Sequence, residues 1–155
     1  MSGFALPSIP VPATVRLQHG EPRPGEVFVG PSVPHHTGHE TVLEMLNRPE
    51  PFFAFRPKGE RGVLFAARAQ TVAVTVAAAP FDDPDRLTAA KRLHLDLTLF
   101  DGSTLSGWAH AELPDAHSRP LDYLNASREP FFAITAEDRT HYVNRAHVVF
   151  ARPED

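Results

Sequence analysis

One phrase occurs twice in this chain. Residues 43–55 read LEMLNRPEPFFAF and residues 121–134 read LDYLNASREPFFAI. In both copies a Leu-Asn pair is followed, after a short gap, by Pro-Phe-Phe. The residues that recur are Leu46, Asn47, Phe52, Phe53, Leu124, Asn125, Phe131 and Phe132. This repetition predicts that the 155 residues fold as two similar units, related by an internal duplication.

Further residues recur in the same order outside the phrase. The segment 15–25 aligns with the segment 97–107 without a gap, which matches Gly20 with Gly102 and Gly25 with Gly107. Near the end of each copy, Arg68–Ala69 recurs as Arg145–Ala146. Two tandem copies favour a pseudo-symmetric pair, because a solenoid usually needs three or more repeats.

Each copy is predicted to contain a hairpin, a short helix and a second hairpin. Leucines at 93, 95, 97 and 99 alternate with polar residues, which is typical of a strand, and Asp101–Gly102 favours a hairpin turn. Residues 57–60 and 136–139 are predicted to form the turns of the second hairpins. Each short helix is predicted to plug the open end of its unit.

The helix boundaries follow from capping residues. Leucines at helical spacing lie at 43 and 46, and again at 121 and 124, with Thr41 or Ser118 as a candidate N-cap. Asn47 and Asn125 are predicted to stop these helices, because asparagine tolerates the left-handed conformation common there.

These elements predict a mainly β fold with short helices, built as two tandem SH3-like or Sm-like small barrels. The expected organisation is an N-terminal extension (residues 1–12), a first barrel (13–76), a linker (77–92) and a second barrel (93–155). The linker is expected because residues 77–92 are polar, acidic and proline-bearing.

The second copy resembles an Sm-type unit. LTLFDGSTLSGW resembles the first Sm motif, and HYVNRAHVVFARP resembles the closing strands of the bacterial Sm-like RNA chaperone Hfq. The resemblance runs from position 97 to position 153 and implies a small barrel with nucleic acid as a ligand. The repeated Leu-Asn and Pro-Phe-Phe segment is not part of the Sm pattern. The chain also resembles small bacterial families of uncharacterised function with a short helix inside a barrel.

The composition bears on partners and location. A formal net charge of −4 disfavours nucleic acid, since a nucleic-acid binder usually carries a basic excess. No apolar run is long enough to span a membrane, and the start lacks the features of a secretory signal. The absence of cysteine excludes disulfides and thiolate chemistry and fits a reducing compartment. We expect a cytoplasmic protein.

A histidine-rich segment is the candidate metal site. Residues 35–40 read HHTGHE, and His36, His39 and Glu40 have the spacing at which imidazole and carboxylate could converge on a divalent cation. The alternative is a solvated loop without a cofactor. His110, His141 and His147 fall on predicted strands, where we expect solvent-facing positions.

Arg68 and Arg145 occupy equivalent places in the two copies. They are candidate ligand-binding or partner-binding residues, since a paired arginine suits an acidic partner. Pairing within each copy, with Glu44 or Asp122, is the alternative and the one we favour.

No nucleophile elbow, phosphate loop or dinucleotide fingerprint is present. The favoured hypothesis is therefore a non-enzymatic binding or assembly module that binds a protein partner or itself. The alternatives are a nucleic-acid-binding Sm-like protein and a metal-dependent enzyme or sensor that uses the histidine-rich loop.

Overall fold

Ten strands and two short helices make up the computed structural model, which describes residues 8–31, 38–77, 91–111 and 119–154. The first half contains β1 (Ile9–Leu17), β2 (Arg23–Val29), α1 (Val42–Leu46), β3 (Phe52–Pro57), β4 (Leu64–Ala67) and β5 (Thr71–Ala77). The second half contains β6 (Lys91–Leu99), β7 (Thr104–Ala111), α2 (Pro120–Ala126), β8 (Phe131–Thr135), β9 (Arg139–Asn144) and β10 (Val148–Glu154). Short 3-10 turns precede β5 and β10.

All ten strands belong to one antiparallel sheet that does not close on itself. Its order is β10-β6-β7-β8-β9-β5-β1-β2-β3-β4. The mainly β class with short helices is confirmed. The strands of the two halves are joined through β9 and β5 rather than lying in two separate sheets, and the division into two small barrels stays a prediction.

The two halves have the same internal strand order. In the first half β5 pairs with β1, then β2, β3 and β4 follow; in the second half β10 pairs with β6, then β7, β8 and β9 follow. The last strand of each half therefore returns to pair with its first strand. This pairing of strands that are distant in sequence places the end of each half beside its beginning.

The predicted hairpins of the second half are present. Leu93, Leu95, Leu97 and Leu99 are all buried, as their alternation along β6 predicted. Gly102 adopts a positive φ of 86° in the turn, a conformation that costs glycine little. The carboxylate of Asp101 accepts a hydrogen bond from the backbone N–H of Ser103 (3.0 Å). The turns at residues 57–60 and 136–139 each carry a closing backbone hydrogen bond.

Two aligned glycines mark close approaches between strands. A Cβ atom at Gly25 would overlap the carbonyl oxygen of Arg56, and one at Gly107 would lie 2.6 Å from the carbonyl oxygen of Thr135. Real Cβ atoms do not come so close to backbone. Glycine therefore recurs here because β2 and β7 pass tightly against the strands that follow them.

α1 begins after Thr41 and ends at Asn47, its C-cap, as predicted. Thr41 and Glu44 form a capping box, in which each side chain accepts a hydrogen bond from the other residue's N–H. Asn47 follows the helix with φ −93°, so the predicted left-handed conformation is wrong. Its side chain is instead used in a long-range contact described below.

In α2, Pro120 occupies the first turn after Arg119, and Ser118 lies outside the described residues. Asn125 lies within α2, which ends at Ala126 with Ser127 as its C-cap, so the predicted stop at Asn125 is wrong. Neither described helix is long and apolar enough to cross a bilayer.

Two clusters of buried side chains form the core. The first lies mainly within β1 to β5 and includes α1, whose Val42, Met45 and Leu46 are buried; the second lies mainly within β6 to β9. By contrast, no residue of α2 is fully buried, and Tyr123 and Leu124 only pack against the second cluster. Of the two described helices, only the first therefore contributes fully buried residues to a core. The role of each helix as a plug at the open end of a barrel stays a prediction.

Strands overlap the ends of the predicted extension and linker, and the division into domains stays a prediction. β1 begins at Ile9 and pairs with β2 from that residue, so residues 9–12 of the predicted extension belong to the first strand. Ala77 ends β5 and Lys91 begins β6, so the described ends of the predicted linker are strand. Residues 78–90 lie outside the described chain.

Candidate functional site

Arg68 holds the repeated phrase of the first half in place. Its guanidinium donates hydrogen bonds to four carbonyl oxygens, at 2.6–3.1 Å, and lies over the ring of Phe53 with its central carbon 5.5 Å from the ring centroid. The four acceptors belong to Met45, Leu46, Glu50 and Phe52. Burial lowers the pKa of Arg68 from its ordinary value. This side chain ties the end of α1 to the start of β3.

Arg145 does the same in the second half with fewer bonds. It donates to the carbonyl oxygens of Leu124 (2.6 Å) and Glu129 (3.1 Å), and its guanidinium carbon lies 4.8 Å from the centroid of the Phe132 ring. These partners align with residues that surround Arg68. In each half, the repeated arginine therefore binds carbonyl oxygens of the repeated phrase and holds it in place. We call this arrangement the arginine anchor.

The predicted pairing of these arginines with carboxylates is wrong. Glu44 accepts from the N–H of Thr41 in the capping box, and Asp122 pairs with Arg119 (2.9 Å). The arginines bind backbone carbonyls instead, because the chain between helix and strand leaves carbonyls without helical or sheet partners. A ligand-binding role for Arg68 or Arg145 stays a prediction.

The two halves meet along a seam, defined as the β5–β9 pairing and its flanking contacts. β5 and β9 pair from Ala73 opposite Val143 to Ala77 opposite Arg139. The amide of Asn47 donates to the carbonyl oxygen of Phe131 (3.1 Å) and accepts from its N–H (2.8 Å). The position of the Leu-Asn phrase is thereby coupled to the first residue of β8.

Three further polar side chains lie within hydrogen-bond distance of groups across the seam. Asn144 donates to the carbonyl oxygens of Arg68 (3.2 Å) and Thr71 (3.0 Å). His147 lies 2.7 Å, through Nε2, from the carbonyl oxygen of Ala69. His141 lies 2.8 Å, through Nδ1, from the hydroxyl of Thr75.

All three of these seam residues are buried, so the expectation of solvent-facing positions for His141 and His147 is wrong. Burial, with the charges of Arg139 and Arg16, lowers the pKa of His141. His110 is half-buried and lies 2.9 Å, through Nε2, from the hydroxyl of Thr135. Asn144 was missed because its equivalent in the first half is an alanine, Ala67.

The histidine-rich segment is described only in part. His36 lies outside the described residues, and the Nδ1 of His39 lies 2.7 Å from the carbonyl oxygen of Glu40. Glu40 is buried and accepts hydrogen bonds from Arg48 and from the N–H of Gly30 (2.8 Å). Burial alone would raise the pKa of Glu40, but these bonds and the charge of Arg48 lower it.

A second group of metal-ligating residues lies elsewhere. His94 and Asp96 on β6 and Glu154 on β10 place one ligand atom each within 4.8 Å of the others. His94 Nδ1 is 2.7 Å from a carboxylate oxygen of Glu154, and Asp96 accepts from the hydroxyl of Ser106 (2.5 Å). These three could hold a divalent cation, but exposed acidic groups commonly cluster without one. A metal cofactor stays a prediction.

An open groove of about 490 Å³ lies over β1, β2 and the turn after β3. Its charged residues include Glu26, Arg56 and Glu60. Arg56 pairs with Glu26 (2.5 Å), and Arg23 pairs with Glu60 (3.0 Å). These charges of the groove are therefore matched within the chain.

The exposed large apolar side chains are concentrated at the two outer edges of the sheet. Of nine such residues in the described chain, seven lie on β4, on β10 or immediately beside them. They are Phe52, Val63, Leu64, Phe65, Phe100, Val149 and Phe150. Exposed apolar patches of this kind mark interaction surfaces. These two edges are the candidate functional site.

Comparisons of the chain with protein-family models, with curated proteins and with solved structures found no match. The residues themselves therefore carry the functional argument.

Proposed function

We propose that the protein is a non-enzymatic assembly module that binds further copies of itself through the two outer edges of its sheet, β4 and β10. The carrying observation is that both terminal strands combine an outward-facing backbone edge with exposed large apolar side chains. We place this module in the cytoplasm, in line with the absence of cysteine.

The backbone of the edges supports binding by strand addition. Within the described chain, β4 pairs only with β3, and β10 pairs only with β6. An outer strand presents a row of N–H and C=O groups that can template another strand. Natural edges usually discourage such pairing with charges or prolines on the strand. The four residues of β4 read LFAA and contain neither, whereas β10 carries Arg152, Pro153 and Glu154 as its last three residues.

The side chains support the same reading. Phe150 on β10 is 70% exposed, and Leu64 on β4 is also exposed. Burying such side chains contributes about 25 cal/mol for each Å² of apolar area removed from water. Strand pairing at these edges would cover both side chains and supply backbone hydrogen bonds together.

The charge distribution supports a protein partner over nucleic acid. Phosphate binding relies on arginines and lysines that are free to face the backbone of the nucleic acid. Six arginines of the described chain are instead paired with carboxylates within the same chain. They are Arg16, Arg23, Arg48, Arg56, Arg119 and Arg139.

The shared strand order of the two halves supports the duplication. Each half places its last strand beside its first, and each has an arginine anchor before that last strand. A tandem of two small-barrel units accounts for both features. The outer edges are then the positions at which a third unit would add.

The test is the mass of the protein as a function of its concentration, measured by sedimentation or light scattering. The wild type is expected to form assemblies as the concentration rises. Leu64→Lys on β4 and Phe150→Lys on β10 are each expected to weaken association by about tenfold or more, which is about 1.4 kcal/mol.

Thr104→Lys is the matched control. It adds the same charge at an exposed position of β7, a strand in the interior of the sheet. This variant is expected to associate like the wild type. A wild type that stays monomeric at every concentration, or edge variants that associate as well as Thr104→Lys, would overturn the proposal.

A further inference from the structure

The seam within the chain shows how one half binds the next. At this seam each half inserts one fully buried side chain into the core of the other. Val72 of β5 is 0% exposed and lies in the second core cluster, while Phe131 of β8 is 1% exposed and lies in the first. The two halves are therefore joined by strand pairing and by an exchange of apolar side chains.

The equivalents of these two residues lie at the outer edges. In the gapless alignment that matches Arg68 with Arg145, Val72 corresponds to Val149 on β10. In the alignment that matches the two Pro-Phe-Phe segments, Phe131 corresponds to Phe52 on β3.

Val149 is 50% exposed and Phe52 is 55% exposed. The exchange that is complete at the seam is therefore incomplete at both outer edges.

We propose that β10 of one copy pairs with β4 of the next copy in the register that joins β5 to β9, with Val149 and Phe52 exchanged between copies. The inference rests on the proposed function and specifies its partner. Applying the seam register to the equivalent residues places Phe150 opposite Ala66, and Arg152 opposite Leu64, of the neighbouring copy.

This contact is heterologous, because each copy offers β10 to one neighbour and β4 to the other. Such contacts continue from copy to copy until the rotation closes a ring or a filament grows. A two-fold dimer joined by one pair of edges brings like edges together, β4 to β4 or β10 to β10. Such a dimer cannot form the proposed contact between β10 and β4. Head-to-tail order is therefore the distinguishing property of the proposal.

The contact between copies is expected to be weaker than the seam. Asn144, which hydrogen-bonds across the seam, corresponds to Ala67, so that pair of hydrogen bonds has no equivalent between copies. Asn47 corresponds to Asn125, which is exposed on α2 and would pair with the backbone of Phe52 of the neighbour. The assembly should therefore dissociate on dilution before the chain unfolds.

Engineered cysteines test the register directly, because the natural chain contains none. Leu64 and Arg152 correspond to His141 and Thr75, whose side chains are 2.8 Å apart at the seam. A disulfide requires Cα atoms about 4.4–6.8 Å apart, which directly opposed antiparallel residues satisfy. Both positions are exposed, so neither substitution disturbs a core.

A mixture of Leu64→Cys and Arg152→Cys chains is expected to form covalent dimers on mild oxidation, while each variant alone does not. Each variant forming dimers by itself would indicate pairing of like edges and would overturn the head-to-tail order. The head-to-tail order is also overturned if the wild type associates and the edge substitutions weaken that association, yet the mixture of cysteine variants fails to cross-link. That outcome leaves the proposed function intact, whereas a monomeric wild type overturns both.

A complementation experiment tests the exchange of side chains without cross-linking. Phe52→Asp damages only the surface that receives β10, and Val149→Asp damages only the surface that β10 offers. Each variant alone is expected to be monomeric, and an equimolar mixture is expected to form a dimer that grows no further. Dimers formed by either variant alone, or a mixture that stays monomeric while the wild type assembles, would overturn the inference.

Discussion

The side-chain amide of Asn47 forms a two-point hydrogen bond with the backbone of Phe131, which belongs to the other half of the chain. The same amide also donates to the carboxylate of Glu129 (2.6 Å). The side chain of Asn47 thus makes the two backbone hydrogen bonds that a neighbouring strand would make at the start of β8. These bonds fix the position of the second half relative to α1.

Asn47→Ala is expected to destabilise the fold by about 1–3 kcal/mol, because it leaves the N–H and C=O of Phe131 without these partners. Asn125→Ala, its exposed equivalent on α2, should change stability by less than about 0.5 kcal/mol. Urea unfolding of dilute protein measures both. Equal losses in the two variants would show that Asn47 does not couple the halves.

Arg68→Ala is expected to cost about 3 kcal/mol or more, since four carbonyl oxygens around a buried side chain lose their donor together. Arg145→Ala should cost less, because that side chain bonds to two carbonyls and is only half-buried. Arg68→Lys should rescue little, since an ammonium cannot reproduce the planar fork of a guanidinium. Thermal or urea unfolding ranks the three variants, and full rescue by lysine would contradict this role.

Gly107→Ala is expected to destabilise the protein by about 1–3 kcal/mol, because its Cβ would overlap the backbone of Thr135 and a methyl group of Ile134. Gly62→Ala is the control. No atom lies within 4 Å of its added Cβ, so it should be close to neutral. A neutral Gly107→Ala in urea unfolding would mean that β7 and β8 do not approach as closely as described.

The ion pair of Glu40 and Arg48 predicts a pH dependence of stability. The pKa of Glu40 is lowered from its ordinary value of 4.5 in the folded chain. A carboxyl group with a lowered folded-state pKa stabilises the fold above its unfolded-state pKa. That stabilisation is lost as the pH falls through the folded-state pKa.

The free energy of unfolding is therefore expected to fall more steeply in wild type than in Glu40→Gln as the pH drops from about 5 to about 3. Glu60→Gln removes a carboxylate from an exposed pair with Arg23 and serves as the control. Exposed ion pairs contribute little to stability, so this substitution should change the free energy of unfolding little. If the free energy of unfolding falls equally with pH in wild type and Glu40→Gln, the predicted contribution of Glu40 to stability is contradicted.

Much of the local structure could be predicted from single residues. The alternation of leucines predicted β6, Asp101–Gly102 predicted its turn, and Thr41 predicted the start of α1. The duplicated phrase predicted that the two halves share their elements. These signals act within a few residues, because periodicity, capping and positive φ are properties of a short stretch of backbone.

The candidate site could not be predicted in the same way. Sequence reasoning drew attention to histidines and arginines, yet the arginines bind carbonyls of their own chain and the edges carry apolar residues. Comparison of the two copies did not point to the seam residues Asn144 and His147, because their equivalents in the first half are Ala67 and Gln70. Both residues act through contacts across the seam, and the pattern of the repeat does not specify those contacts.

By itself, the sequence determined the mainly β class and the short helices, and it predicted two similar units with an arginine before the last strand of each. Only the tertiary structure decided that β5 pairs with β9 and that β4 and β10 remain outermost. The physical reason is that strands pair through backbone N–H and C=O groups, which almost every residue carries. Residue identity therefore specifies where a strand lies, while the packing of the whole chain selects its neighbour.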